Sequence, residues 1–155
     1  MKSCSVPSEK YYQYLFRACP LLETVLLESD MSINGKCLYG LKNTRLKCLV
    51  LSRCNNLCLK KLMNVLCKLE HLEHLSLRDA TFTDQDISTL VQTVPRLQSL
   101  SMVDRFPFLN WDSLKAIGNL KDLIQLNLQN NYSVNDEIMK IIAQNCKKLQ
   151  EVNIT

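Results

Sequence analysis

The pattern L-x-x-L-x-L, with conservative replacements, recurs six times along the chain, as LETVLL, LKCLVL, LEHLSL, LQSLSM, LIQLNL and LQEVNI. The first leucines are Leu22, Leu46, Leu72, Leu97, Leu123 and Leu149, so the successive intervals are 24, 26, 25, 26 and 26 residues. A chain that repeats one short motif at one period builds one structural unit per period and stacks the units. Side chains alternate along a strand, which sends Leu49 and Leu51 of LKCLVL to one face and Cys48 and Val50 to the other. A lone strand of this length cannot bury its apolar face. Parallel stacking joins the leucines into ladders and supplies the missing hydrogen bonds. Between strands, Leu59, Leu62, Met63 and Leu66 in one turn and Ile138, Ile141 and Ile142 in another fall at helical spacing, which predicts helices on the convex side. TDQDI (83–87) and NDEI (135–138) place Thr83 and Asn135 where a side-chain oxygen can cap such a helix. Acidic residues follow in the first turn, where the helix dipole favours them. The expected fold is an α/β solenoid, a horseshoe with a parallel concave sheet of about six short strands.

The repeat matches the leucine-rich-repeat template, L-x-x-L-x-L-x-x-N/C-x-L. Within that class, the unit LKCLVLSRCNNL, the run TFTDQDI and the helix endings ACPLL (18–22) and NCKKL (145–149) resemble the cysteine-containing subtype typical of F-box leucine-rich-repeat proteins. Cys19-Pro20 and Thr83-Asp84 fit that subtype directly. Ala80, Arg105 and Asn131 replace its turn cysteine, Asp86 and Glu137 stand in place of its glycine, and the first turn, ESDMSINGKCLYGL, is irregular. The resemblance implies substrate recognition in a cullin-based ubiquitin ligase, with a separate F-box contacting the ligase core. No F-box helices precede Leu22 in this sequence. Residues 1–21 read instead as the helix that ends a preceding repeat, and residues 22–155 as the repeats. Both ends lie inside a solenoid, so the expectation is a fragment of a longer protein, the alternative being that another chain covers the open ends.

The 46 % hydrophobic and 22 % charged residues describe a folded soluble protein. A net charge of +4 without a dense basic run argues against nucleic acid as a partner. No apolar stretch approaches the ~18 residues of a membrane span, and the N-terminus MKSCSVPSEK has no signal-peptide core. The expectation is a cytoplasmic or nuclear protein, not a secreted one, with its eight cysteines as free thiols.

Three of those cysteines, Cys48, Cys54 and Cys58, lie close to His71 and His74 and invite a metal reading. The repeat register separates them. Cys48 projects from the concave face, Cys54 sits in the turn as a small buried group, and Cys58 opens the convex segment, so they cannot converge on tetrahedral zinc. No phosphate-cradling loop or hydrolase motif is present, so no cofactor is expected. Cys48 and His74 are neighbours one strand apart, but no third group orients the imidazole and an open face does not exclude water. The chain is read as a non-enzyme.

The functional surface is then the concave face. One column of side chains reads Thr24, Cys48, His74, Ser99, Gln125, Glu151; the next reads Leu26, Val50, Ser76, Ser101, Asn127, Asn153; a third reads Glu28, Ser52, Arg78, Val103, Gln129, Thr155. Apolar groups cluster on the first two strands and amides on the last two, a layout suited to anchoring a protein partner at one end and hydrogen-bonding it at the other. The partner-binding residues are expected to be Leu26, Cys48, Val50, His74, Ser76, Arg78, Ser99, Ser101, Gln125, Asn127, Glu151 and Asn153. In the fourth turn, the Phe and Trp of VDRFPFLNWDSL either form an exposed aromatic patch or fill the corner between turns; corner filling is favoured, with Phe108 at the position of Leu57 and Trp111 starting the next helix. Two functions fit: ubiquitin-ligase substrate recognition, or a stand-alone binding scaffold unrelated to ubiquitin.

Overall fold

A computed structural model of the chain describes residues 8–30, 32–80, 83–103 and 111–154. Arg105, Phe108 and Thr155, each singled out above, lie outside the described residues. The elements are α1 (Glu9–Ala18), β1 (Thr24–Glu28), a 3₁₀ helix (Cys37–Asn43), β2 (Cys48–Ser52), α2 (Leu59–Leu66), β3 (His74–Arg78) and α3 (Asp84–Thr93). They continue with β4 (Ser99–Val103), α4 (Trp111–Ala116), a short 3₁₀ helix (Ile117–Asn119), β5 (Gln125–Asn127), α5 (Asp136–Asn145) and β6 (Glu151–Asn153).

The strands form one sheet in sequence order, every neighbouring pair parallel. Register follows the motif phase without slippage: Thr24 faces Cys48, Cys48 faces His74, His74 faces Ser99, Ser99 faces Gln125, and Gln125 faces Glu151. One hydrogen-bond motif fixes that register at every step. The carbonyl one residue after each first leucine accepts two successive N–H groups of the next turn, as Glu23 does from Lys47 at 2.8 Å and Cys48 at 3.0 Å. Lys47, Glu73, Gln98 and Ile124 repeat it.

The leucines bury as alternation requires. Leu49, Leu51, Leu75, Leu77, Leu100 and Leu126 are essentially inaccessible, and they share one core with Leu62 and Leu66 of α2, Ile87 and Leu90 of α3, and Ile138 and Ile142 of α5. The helices therefore lie on the leucine side of the sheet. At β6 the same face is partly open, with Val152 and Ile154 nearly half exposed.

Both expected caps are present. Thr83 Oγ1 accepts from Asp86 N at 3.3 Å while Asp86 Oδ2 accepts from Thr83 N at 2.8 Å, a reciprocal capping box. Asn135 Oδ1 accepts from Ile138 N at 3.0 Å. The irregular first turn has a physical account. Its return element is the 3₁₀ helix, and α1 packs on it so closely that a Cβ on Gly40 would lie 2.7 Å from the Gln13 carbonyl oxygen. Glu9 of α1 supplies the N-terminal partner the 3₁₀ helix lacks. Its Oε1 accepts the N–H groups of Asn34, Gly35 and Lys36 at 2.8, 2.7 and 3.0 Å.

The corner reading of Trp111 needs correction. Trp111 begins α4, as expected, but it is 37 % exposed, and its indole is covered by the Lys115 ammonium 2.8 Å from the ring centroid. A residue in the first turn of a helix can swing toward solvent, where a cation one turn on lies against its π-face.

Candidate functional site

The sheet face away from the helices carries all twelve residues expected to bind a partner. Within each strand the burial pattern alternates, leaving Cys48, Val50, His74, Ser76, Ser99, Ser101, Gln125 and Asn127 half-buried while their neighbours are sealed. Leu26, Arg78, Glu151 and Asn153 are exposed. Leu26 stands out. It is 66 % exposed on the open face, directly opposite Val50 in the β1–β2 register. Water-exposed leucine beside half-buried valine forms an apolar spot at one end of a face that is otherwise polar.

The third column is less available than alternation suggests. Ser52 and Val103 are buried, so only Glu28, Arg78 and Gln129 remain to be offered from it among the described residues. Strand alternation weakens at the strand ends, where the chain folds over into the turn.

At the opposite end, Ser99, Ser101, Gln125, Asn127, Glu151 and Asn153 line a shallow cleft of about 390 Å³. Two side-chain bonds organise it: Gln125 Nε2 donates to Glu151 Oε2 at 3.0 Å, and Gln129 N donates to Asn127 Oδ1 at 3.0 Å. The face thus runs from an apolar spot on β1 and β2, across serines and His74, to carboxylate and amides on β5 and β6.

The cysteines occupy the positions that the register gives them. Cys54 is buried in the turn, its thiol directed at the carbonyls of Leu27 and Ser52 at 3.8 and 3.6 Å. Cys58 is the N-cap residue of α2. Cys48 lies on the open face beside His74, and partial burial pushes its thiol above the ordinary range. An activated nucleophile needs the reverse shift. Asp30, at the turn position equivalent to Cys54, is buried, and its Oδ1 accepts Ser32 N at 2.8 Å and Ser32 Oγ at 2.6 Å. Tyr12 of α1 is held protonated beyond its usual range by burial first and then by that carboxylate. Sequence reasoning did not find this Tyr12–Asp30 contact, because it joins α1 to a turn eighteen residues on.

The sequence matches no protein-family description and no curated protein. Solved structures do match. The tropomodulin C-terminal domain from Caenorhabditis elegans superposes with a TM-score of 0.70 over 92 % of this chain and 93 % of that one, at 11 % identity. This architecture is a leucine-rich-repeat solenoid. The TLR13–ssRNA13 complex contains a similar arrangement, with a TM-score of 0.64 at 18 % identity over 90 % of this solenoid, which spans 20 % of that chain. At such identities the likeness establishes the fold. Among the described residues, no helix is long and apolar enough to cross a membrane.

Proposed function

We propose that this solenoid is a protein-interaction module that binds its partner across the open face of the sheet, without catalysis. One observation carries the reading: Leu26, 66 % exposed, is displayed next to Val50 on the face that no helix covers among the described residues. An exposed apolar residue on a rigid sheet can form the dry centre of an interface whose polar rim gives specificity. Strands hold these residues at fixed spacing, so little ordering entropy is lost on docking.

The finer reading is substrate recognition for an F-box type ubiquitin ligase receptor. Its support is the resemblance of Cys19-Pro20, Cys54, Thr83-Asp84 and Cys146 to the cysteine-containing repeat. The partner on this reading is a protein held for ubiquitin transfer, with the cullin ligase engaged through an F-box outside this sequence. The alternative, a stand-alone scaffold, draws on Ala80 and Asn131, buried at turn positions where that subtype has cysteine. Although one structural neighbour is a complex with single-stranded RNA, Glu28 and Glu151 on the open face oppose a phosphate backbone, and protein is the favoured partner.

The test is capture of partners from cell extract by the wild-type chain and by the Leu26→Asp/Val50→Asp double variant, with circular dichroism confirming the fold. Partners bound by the wild type should be lost from the variant. Unchanged capture sinks the open-face reading. Among captured proteins, ubiquitin-ligase substrates, identified by their stabilisation when the receptor is depleted, separate the ligase role from a scaffold.

A further inference from the structure

We infer that the β4–β6 end of the open face selects a basic residue, Lys or Arg, within an extended peptide segment of the partner. The inference rests on the open-face reading and assigns chemistry to one end of it.

The argument starts from which atoms are already committed. An amide side chain offers two donor hydrogens on nitrogen and an acceptor on oxygen, and whichever is used internally leaves the other for a ligand. The Gln129 N–H donates to Asn127 Oδ1, so Asn127 must turn its NH₂ group outward. Gln125 makes the opposite commitment. Its Nε2 donates to Glu151 Oε2, a bond that only the amide nitrogen can make to a carboxylate, and its Oε1 is left as an acceptor.

Two columns of opposite character result. On the first, the Gln125 carbonyl oxygen and the Glu151 carboxylate lie on facing residues of adjacent strands, about 4.8 Å apart at the backbone. Together they present acceptors and a negative charge. On the second, two residues along β5 and roughly 6.6 Å away, Asn127 presents a donor. Ser99 and Ser101, on the next strand, are small enough to let a chain approach.

A ligand must supply the complement. It needs a multivalent cationic donor over Gln125 and Glu151 and a carbonyl over Asn127. A Lys or Arg residue in an extended segment carries both, since its side chain reaches about as far as the separation of the two columns. An Asp or Glu at the same place would set a carboxylate against Glu151 and an amide oxygen. Bulk electrostatics does not create this preference, because the chain as a whole carries +4 and repels basic peptides.

The test is selection of a phage-displayed library of random nine-residue peptides on the immobilised 155-residue chain, repeated with Glu151→Gln. Glu151 is exposed, so the substitution leaves the fold intact, which circular dichroism checks. The wild type should enrich Lys and Arg over Asp and Glu at one position by about threefold or more, the scale of a partly exposed ion pair. Glu151→Gln should abolish that enrichment. An Asn127→Ala variant, which removes the donor without adding charge, should weaken binding of the selected peptides by about fivefold. Absence of a basic preference, or one that survives Glu151→Gln, overturns the inference. The open-face reading fails separately, through unchanged partner capture by Leu26→Asp/Val50→Asp, so the two failures are distinguishable.

Discussion

Ser29, Arg53, Asp79 and Asn130 share a left-handed backbone, with φ of 56°, 55°, 57° and 66°. Each lies seven residues after the first leucine of its turn, where the chain leaves the strand. The N–H groups of Ser29, Arg53 and Asp79 still donate to the following strand, at 2.8 to 3.0 Å, so the left-handed residue turns the chain without breaking the ladder. Asp and Asn tolerate this region, whereas a β-branched residue does not. Arg53→Val should lower stability by about 1–2 kcal/mol in urea titration, with Arg53→Gly within about 1 kcal/mol of wild type. No glycine marks the position, and Ser29 and Arg53 are not residue types that point to it, so the conformation was not legible from residue type alone. The buried turn thiol of Cys54 was legible, because its place in the repeat pattern implied it. Cys37 was not. It is sealed in the first turn, and burial, followed by the Glu9 carboxylate, pushes its thiol up to about 12 from 9.0. A thiol whose pKa is raised on folding contributes stability that is complete below the unfolded pKa and is lost as pH climbs through the folded one. The melting temperature should therefore fall between pH 9 and 12 more steeply for the wild type than for Cys37→Ala.

Among the elements, the caps of α3 and α5 followed directly from TDQDI and NDEI, since N-cap chemistry is local. The 3₁₀ helix over Cys37–Asn43 did not, because its geometry is imposed by a neighbour. Gly40 is the contact point, and an added methyl would meet Gln13 O at 2.7 Å and Phe16 Cβ at 2.9 Å. Backbone cannot step aside as a flexible side chain can. Gly40→Ala should displace α1 and cost about 1–3 kcal/mol, read as a lower urea midpoint. Trp111 shows the same limit from the other side: its place at the start of α4 was readable, its outward turn under Lys115 was not, since i to i+4 pairing competes with burial on terms that only the packed structure decides.

At the scale of the whole molecule, the period of 24 to 26 residues was sufficient to specify strand order, parallel pairing and register. Each turn rests only on its neighbours, so the fold is nearly one-dimensional and periodicity alone describes it. Which side chains of the first two columns stand on the open face was readable for the same reason, whereas the burial of Ser52 and Val103 in the third was not. What those side chains offer a ligand was not. The outward donor of Asn127 and acceptor of Gln125 depend on bonds to Gln129 and Glu151, and a sequence records the amide but not the way it is turned.

The reach of Glu9 across to the next turn has a practical consequence. The amide protons of Asn34 and Gly35 are shielded by the Glu9 carboxylate of α1, not by a bond of their own turn. Their rate of exchange into heavy water therefore clocks the lifting of α1, and should rise by about tenfold or more in Glu9→Gln while the β3 amides keep their protection. Two backbone protons make the first helix its own gauge, reporting how often the array comes apart at that joint without any label being attached.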